Sequence, residues 1–486
     1  MLGAFTLALA ATLTAQDQVD SAMNDKIRRE GLERSRVMAT FTHFVDVIGP
    51  RLTATPAYKA AADWSRDRLS EWGLSNPRLE SWEFGRGWQL DQFTLEMIEP
   101  RYMPLVGYPE GWSASTNGEV VGTPVFVGDK TAEQIAAMKL DGAILLAQPI
   151  QNSFVREDRA QPSDPSYTPK PPAPQRGQAA GQGGGRGTGR GSLQQTLRAA
   201  RPGVVLRNSR GEHGTVFVLG RDQAENAVPS VVVAAEHYNM IARMVAAGLP
   251  VKLRVNVKTR YLNADRNGYN VLAELPGRDT ARRDEVVMIG AHLDSWHSAP
   301  GATDNADGAA IVLEAMRILA AAGAAPARTI RAALWGGEEQ GLHGSREYVR
   351  RHLAGDANAA ARDKFSVYFN VDPGTGPVYG WYLQGQENAR PIMDLWLGPF
   401  KDVGTRRNVI DSIGNTDHLS FTAIGLPGFN PIQDYVNYDV RTHHTNVDTF
   451  ERVREADLKQ AAVILASFAY HAAMRAEKFP RPATQP

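Results

Sequence analysis

The fold is decided by residues 284–323, which read DEVVMIGAHLDSWHSAPGATDNADGAAIVLEAMRILAAAG. The first part is an apolar run typical of a strand, and the last part has the periodicity of an amphipathic helix that ends at Gly323. The alternation continues with "RTIRAALWGGEE" and "KFSVYFNVDPGTG" as strands, "GSREYVRRHLA" as a helix and "READLKQAAVILASFAYHAAMRA" as a closing helix. Strands that are apolar throughout are buried on both faces. The sequence therefore predicts an α/β domain with a mixed, mostly parallel central sheet flanked by helices.

The length of 486 residues exceeds what one hydrophobic core usually takes, so we expect two domains or one domain with an insertion. Residues 20–112 combine helical periodicity with alternating strands and are assigned to the first part of the α/β domain, which residues 255–480 complete. Residues 113–254 consist of short β-rich runs between turns, which predicts an inserted small domain. Within this insert, residues 167–192 are rich in Pro, Gly and Arg, a composition typical of a disordered loop. Residues 1–15 resemble the apolar region of a signal peptide and predict export.

The composition excludes several kinds of chemistry. The chain has no cysteine, so disulfides, thiolate zinc sites and cysteine nucleophiles are excluded, and any metal must be held by His, Asp and Glu. Lys and Arg number 53, as do Asp and Glu, which gives no reason to expect a nucleic acid or an anionic membrane as a partner. After residue 15, no stretch has the length and apolar character of a transmembrane helix.

Potential metal ligands follow the strands of the C-terminal half. In open α/β sheets, ligands bind beyond the carboxyl ends of the strands, so side chains at these positions are expected to meet. A single Asp before a helix is usually a helix cap, but a whole set of such residues at one sheet edge is the pattern of a two-metal site. The residues at these positions are His292, Asp294, Asp304, Glu338, Glu339, Asp372, His443 and His444.

Asp304 is the natural bridge between two metal ions. Two ions in one site need a shared ligand, and the two oxygens of a carboxylate can each face one of them. Zinc accepts imidazole nitrogen and carboxylate oxygen as ligands. One zinc would then take His292 and Asp372, and the other would take Glu339 and His444.

Two further carboxylates are predicted to act without binding metal. Asp294 lies two residues after His292 and can accept the second N–H of that imidazole. Neighbouring residues project in different directions, so Glu338 and Glu339 cannot bind one ion equally well. Glu338 is therefore predicted to be the general base, which takes a proton from the metal-bound water and passes it to the leaving amine.

The motifs at these positions resemble those of a known family, the co-catalytic di-zinc exopeptidases, which includes bacterial leucyl-type aminopeptidases, glutamate carboxypeptidases and carboxypeptidase Q. The resemblance covers most of residues 255–475 and is closest to the carboxypeptidase Q branch. The stretch "DVIGPRLTATPAYKAAADW" also resembles the opening helices of the family, and the β-rich insert resembles its protease-associated domain. The motifs are "HLDSW", "GATDNADGAA", "LWGGEEQGLHGS", "NVDPGTG", "TDHLSF" and "HHTNVDTF".

The resemblance implies two zinc ions, the same five ligands, Glu338 as general base and a cis peptide bond between Asp304 and Asn305. Many family members carry a tyrosine just before the last histidine ligand, where it can stabilise the oxyanion, but this chain has His443 there. The oxyanion donor is therefore His443 itself, or Tyr435 or Tyr438 from the preceding loop. The five implied ligands are His292, Asp304, Glu339, Asp372 and His444.

The loop "NVIDSIGNTDHLSF" is predicted to line the substrate pocket. Within it, Asp417 and His418 are interpreted as substrate contacts or as supports for the metal ligands. Candidate cations for a substrate carboxylate are Arg406, Arg407 and Arg441.

The function predicted from these observations is that of an exported zinc exopeptidase, which hydrolyses short peptides through a metal-bound hydroxide. An aminopeptidase or dipeptidase is preferred, and a carboxypeptidase of the glutamate carboxypeptidase type is the alternative. A non-catalytic, receptor-like homologue is the alternative from another class, and a zinc acyltransferase that uses a single zinc is the third. Two roles for the insert stay open, since it could restrict access to the site or support a homodimer.

Overall fold

The structure is a computed structural model that describes residues 18–167, 188–220 and 227–482. The predicted signal peptide, residues 1–15, lies outside the described residues, as does most of the predicted loop 167–192. Residues 188–192 of that loop are helical rather than disordered, because they begin a helix whose residues Leu193 and Leu197 pack into the apolar core of the insert.

The described residues form an alternating series of strands and helices, numbered here in chain order. The strands are β1 Ser75–Glu83, β2 Gly87–Glu99, β3 Met103–Pro104, β4 Gly107–Pro109, β5 Val120–Gly122, β6 Val125–Phe126, β7 Ile144–Leu146, β8 Val204–Asn208, β9 Ser230–Val233, β10 Lys252–Leu262, β11 Asn267–Leu275, β12 Val286–His292, β13 Thr329–Trp335, β14 Phe365–Asn370, β15 Gly380–Tyr382 and β16 Gly428–Ile432. The α-helices are α1 Ser21–Glu33, α2 Val37–Thr42, α3 Pro56–Glu71, α4 Ala132–Ala136, α5 Thr188–Ala200, α6 Ala235–Ala246, α7 Asp307–Ala321, α8 His343–His352, α9 Ala359–Lys364, α10 Arg390–Leu397, α11 His418–Thr422 and α12 Glu455–Met474.

The central sheet has seven strands in the order β1-β11-β13-β12-β14-β16-β15. The four strands β13, β12, β14 and β16 pair in parallel, and the three remaining pairs, at the two edges, are antiparallel. The predicted mixed sheet is confirmed, although parallel pairs make up half of the sheet rather than most of it. The parallel strands end side by side, so the loops that follow them meet at one edge.

Helices cover both faces of this sheet, as the apolar strands predicted. Along β12, Ile289 faces a core that includes α7 and α12, whereas Met288 faces a second core with residues of α8 and α11. Alternate side chains of a strand point to opposite faces of the sheet. A strand that is covered by helices on both faces is therefore apolar along its whole length. Helix α7 ends at Ala321, and Gly323 follows with a φ of 69°, as its position after the helical pattern predicted.

The insert forms a five-stranded sheet in the order β4-β9-β8-β7-β6. Strand β4 joins this sheet by antiparallel pairing with β9, which brings residues 107–109 into it. The chain enters and leaves the insert through the long antiparallel pair β2 and β10, which belongs to a separate four-stranded sheet. In the part of the chain described here, no helix combines the length and apolarity needed to cross a bilayer.

Candidate active site

The predicted ligands converge at the carboxyl edge of the parallel strands. His292 is the last residue of β12, Glu338 and Glu339 follow β13 by a two-glycine turn, and Asp372 follows β14. Asp304 lies in the short π-turn just before α7, and its peptide bond to Asn305 is cis, as predicted. The same edge of the sheet therefore carries residues from four separate segments of the chain.

Two groups of potential ligands share Asp304. The Nε2 atom of His292 lies 3.3 Å from Asp304 Oδ1 and 3.7 Å from Asp372 Oδ1. The Nε2 atom of His444 lies 3.3 Å from Asp304 Oδ2 and 2.9 Å from Glu339 Oε2. The two oxygens of Asp304 thus face different histidines, which is the arrangement expected of a bridging carboxylate.

The second group contains one potential ligand beyond the five that were assigned to zinc from the sequence. His443, one of the three candidate oxyanion donors above, has a ring nitrogen within 4.8 Å of ligand atoms of Asp304 and His444. The rings of His443 and His444 are 3.8 Å apart between centroids. Glu339 and His443 are therefore both placed to complete this group.

The chemistry of the cluster fits divalent cations. His292 Nε2, Asp304 Oδ2 and Glu339 Oε1 are buried and have no hydrogen-bond partner. Burial without a partner is costly for such atoms unless a cation binds them. Burial, followed by neighbouring carboxylates, also holds the pKa of Glu339 well above its usual range. Nitrogen and oxygen donors of this kind suit zinc.

Asp294 orients the site in a different way from the one predicted. The backbone carbonyl of Asp294, not its carboxylate, accepts from His292 Nδ1 at 3.0 Å, whereas the carboxylate lies 3.7 Å away. The carboxylate instead accepts the backbone N–H groups of Glu338 and Glu339 at 3.2 and 3.3 Å, and the hydroxyl of Thr53. A carbonyl can only accept, so Nδ1 carries the proton and Nε2 keeps the lone pair that a metal needs.

Asp448 supports the segment that carries Asp304 and was not identified from the sequence. Its carboxylate accepts the backbone N–H of Thr303 at 2.8 Å and that of Asp304 at 3.1 Å. Burial raises the pKa of Asp448 to about 7, and the two hydrogen bonds act in the opposite direction. The stretch "HHTNVDTF" held the only signal, since it places an acidic residue shortly after His444.

Arg51 is a second residue that the sequence did not identify as part of the site. It is fully buried, and its guanidinium donates to backbone carbonyls on both sides of the loop that follows β12. Burial lowers the pKa of Arg51 to about 10, while nearby aspartates, first Asp448 and then Asp294, favour its charged form. One cation thus fixes the loop and offsets part of the negative charge. The carbonyl acceptors belong to Phe44, Gly49, Leu293, Pro300 and Gly301.

Asp448→Asn is expected to weaken zinc binding by about 10- to 100-fold and to lower the free energy of unfolding by about 1–3 kcal/mol. The asparagine amide has one acceptor oxygen, so its NH₂ group would face one of the two N–H groups that the carboxylate now accepts. Zinc titration and thermal unfolding measure the two effects, with Asp46→Asn, an exposed position in the short π-helix His43–Ile48, as the control. Unchanged values for both quantities would contradict this role of Asp448.

The residues predicted to contact substrate differ in their surroundings. Tyr438 is almost fully buried. Burial, followed by the negative charges of Asp304 and Asp372, holds the pKa of its hydroxyl well above the usual range. Tyr435 belongs to the same apolar cluster as Tyr438, but its hydroxyl lies 3.0 Å from that of Tyr382. The charges that act on the Tyr438 hydroxyl thus include those of two predicted ligands, Asp304 and Asp372.

Asp417 and His418 are both buried at the start of α11. Burial raises the pKa of Asp417 to about 7, and both of its carboxylate oxygens lack a hydrogen-bond partner. Asp417 is close enough to Glu338 for its charge to raise the pKa of that carboxyl. His418 Nε2 lies 2.8 Å from Gln384 Nε2, and burial lowers the pKa of the imidazole to about 4. The charge of Asp417 thus acts on Glu338, whereas the contact of His418 is with Gln384.

Comparisons with known proteins agree with this geometry. The sequence profile of Peptidase family M28 matches residues 270–469. Carboxypeptidase Q of Bos taurus is 26% identical over 461 residues, which are 93% of this chain and 88% of that protein. An aminopeptidase of Pseudomonas aeruginosa is 33% identical over 241 residues, or 47% of this chain and 42% of that protein. The crystal structure of a peptidase M28 precursor from Shewanella amazonensis has a TM-score of 0.69 at 22% identity and covers 95% of this chain and 99% of its own.

A mixed sheet flanked by helices, with histidines and carboxylates gathered at the ends of its parallel strands, defines a metallo-exopeptidase, a hydrolase of peptide bonds. Residues 270–469, which carry these histidines and carboxylates up to His444, match peptidase family M28, the zinc-dependent exopeptidases that the sequence motifs resembled.

Proposed function

We propose that the protein is a di-zinc exopeptidase that acts on short peptides as an aminopeptidase or a dipeptidase. The observation that carries this proposal is the position of Asp304, whose two carboxylate oxygens lie 3.3 Å from His292 Nε2 and from His444 Nε2. His292 and Asp372 would hold one zinc with Asp304, and Glu339 and His444 would hold the other. Bound zinc would polarise the scissile carbonyl and lower the pKa of the attacking water.

Glu338 is proposed as the general base. Its side chain is buried, and burial holds its pKa well above that of an ordinary glutamate, although the charge of His292 acts in the opposite direction. A carboxylate with a raised pKa can take a proton from water and later give it to the leaving amine near neutral pH. The hydrogen bonds from the backbone of Glu338 and Glu339 to Asp294 fix the turn on which both glutamates lie.

Tyr438 is proposed to stabilise the oxyanion. Burial, followed by the charges of Asp304 and Asp372, raises the pKa of its hydroxyl, whereas the hydroxyl of Tyr435 lies 3.0 Å from that of Tyr382. A donor directed at the position where negative charge develops is effective in a site that excludes water. His443 stacks on the Tyr438 ring at 5.1 Å, so it contacts both the proposed donor and His444.

The arginines considered for binding a substrate carboxylate have other contacts. Arg441 donates to Glu212 O and Thr215 Oγ1, each at 3.0 Å. Arg407 donates to backbone carbonyls of residues 162 and 164. Arg406 lies over the ring of Tyr379, 3.7 Å from its centroid. These contacts favour an aminopeptidase or dipeptidase over a carboxypeptidase.

Cleavage of blocked dipeptides is the test of this proposal. We expect N-acetylation to abolish cleavage, because the free amine must be bound near the carboxylates of the site. Amidation of the carboxyl end is expected to leave cleavage largely intact for an aminopeptidase and to reduce it for a strict dipeptidase. The unblocked dipeptide of the same sequence is the control. Cleavage that survives N-acetylation but is lost on amidation would contradict the proposal and favour a carboxypeptidase.

We also propose that the chain is exported and that the insert is a protease-associated domain. The apolar residues 1–15 and the likeness to carboxypeptidase Q over most of the chain support these statements. Amino-terminal sequencing of protein recovered outside the cytoplasm tests export, since cleavage is expected next to Gln16. A homodimer remains a prediction, which sedimentation of the purified chain would test.

A further inference from the structure

One segment of the insert contacts the loop that carries the second group of ligands. We call residues 156–161 the strap. Within it, Arg159 holds Asp439 through three hydrogen bonds, from its backbone N–H and its Nε to Oδ2 at 2.8 Å each and from Nη2 to Oδ1 at 2.6 Å. A forked pair of this kind fixes the direction as well as the distance between the two side chains.

The Arg159 guanidinium is also the first member of a stack that ends at a proposed zinc ligand. It lies 5.1 Å from the centroid of the Tyr438 ring. That ring stacks on His443 at 5.1 Å and 20°, and His443 in turn lies 3.8 Å from His444. Cations and aromatic rings attract each other at such distances. The insert is thus linked to His444 by contiguous side chains.

The rest of the strap holds the same loop by its backbone. Asp158 accepts the N–H groups of Asn437 and Val440 at 2.8 and 3.0 Å. Gln161 donates to the carbonyl of Gln433 at 2.8 Å. Asn437 and His444 each adopt a φ of 63°, in the left-handed region that Asn and His enter more often than most residues. The strap therefore holds this loop through three hydrogen bonds besides those of Arg159.

We propose that the insert completes the active site through the strap, in which Arg159 is a positioning residue for Tyr438. This inference rests on the proposed role of Tyr438 in stabilising the oxyanion. The insert would then hold the loop that carries Tyr438 in its active conformation, in addition to any effect on substrate access or on formation of a homodimer. Because Nε and Nη2 of Arg159 already bind Asp439, this arginine orients the loop rather than a substrate carboxylate.

Kinetics of Arg159→Gln in the full-length protein test this inference. We expect kcat to fall by about 30- to 100-fold, the range for a reacting group displaced by about 1 Å, while KM changes by less than about threefold and zinc content stays at that of the wild type. Arg159→Lys is expected to recover only part of kcat, because an ammonium cannot make the forked pair or stack as a planar guanidinium does.

Arg156→Gln is the matched control. Arg156 belongs to the same strap and makes its own forked pair with Glu212, at 3.0 Å from Nε and 2.8 Å from Nη2. Its side chain is 65% exposed, and its contacts lie outside the ring stack. We expect kcat of this variant to remain within about twofold of the wild type, as for an exposed ion pair. An equal loss of kcat in Arg156→Gln and Arg159→Gln would overturn the specific role of Arg159.

The double variant separates a positioning role from general destabilisation. If Arg159 acts through Tyr438, then kcat of Arg159→Gln/Tyr438→Phe should equal that of Tyr438→Phe alone. Losses of kcat that multiply would overturn the link between the two residues. A normal kcat in Arg159→Gln beside an impaired Tyr438→Phe would overturn the inference but leave the proposed function intact. A normal kcat in Tyr438→Phe beside an impaired Arg159→Gln would contradict the oxyanion role of Tyr438 and, with it, the proposed route from Arg159.

Discussion

Glu338→Gln is expected to retain two zinc ions per chain and to lose about a thousandfold or more in kcat, as expected when a general base is removed. Glutamine has the size of glutamate and keeps the two-glycine turn and its hydrogen bonds to Asp294 in place. It cannot take a proton from water at neutral pH, so the loss should fall on kcat, with little change in KM.

The neighbouring glutamate provides the matched comparison. Glu339→Ala is expected to lose zinc, because Glu339 Oε2 lies 2.9 Å from His444 Nε2 and its other oxygen is buried without a partner. Elemental analysis and steady-state kinetics on both variants measure the difference. Turnover by Glu338→Gln close to that of the wild type would show that the base is another group. Full zinc content in Glu339→Ala would instead point to His443 as the ligand.

Asp304→Ala is expected to lower the zinc content below two per chain and to abolish measurable hydrolysis. The alanine removes the two carboxylate oxygens that face His292 and His444. Each of the two proposed zinc ions would lose a ligand, and the negative charge that offsets their mutual repulsion would be lost as well. Elemental analysis after dialysis at a fixed free zinc concentration measures the occupancy. Circular dichroism checks that the fold is retained.

His443→Ala is the comparison for Asp304→Ala. Both residues have atoms close to His444, but only Asp304 is placed between the two groups of ligands. We expect His443→Ala to keep the first zinc, at His292 and Asp372, and to change the second at most. Retention of two zinc ions by Asp304→Ala would refute its bridging role.

The local pattern of apolar and polar residues was sufficient to predict the strands and helices of the α/β domain and the order of the candidate ligands along the chain. The apolar run ending at His292, the helix that ends before Gly323 and the turn that carries Glu338 are each encoded within a few residues. Parallel strands that end in the same direction must bring the residues that follow them to one edge. For this reason, the spacing of ligands along the chain predicted their meeting in space without any further information.

The residues that hold the candidate ligands in place come from distant parts of the chain. Only the tertiary structure shows these contacts. Asp448 reaches the backbone of Asp304, Arg51 reaches the carbonyl of Gly301, and Arg159 reaches Asp439, across 144, 250 and 280 residues of sequence. An aspartate or arginine in a loop looks the same in sequence whether it binds solvent or a buried backbone group. The sequence by itself therefore determined the sheet, its helices and the chemistry at the strand ends, because these follow from local periodicity. Only the tertiary structure decided which charged side chains support these groups. The insert and the opening helices pack against the same edge of the sheet, and polar groups buried there need hydrogen-bond partners.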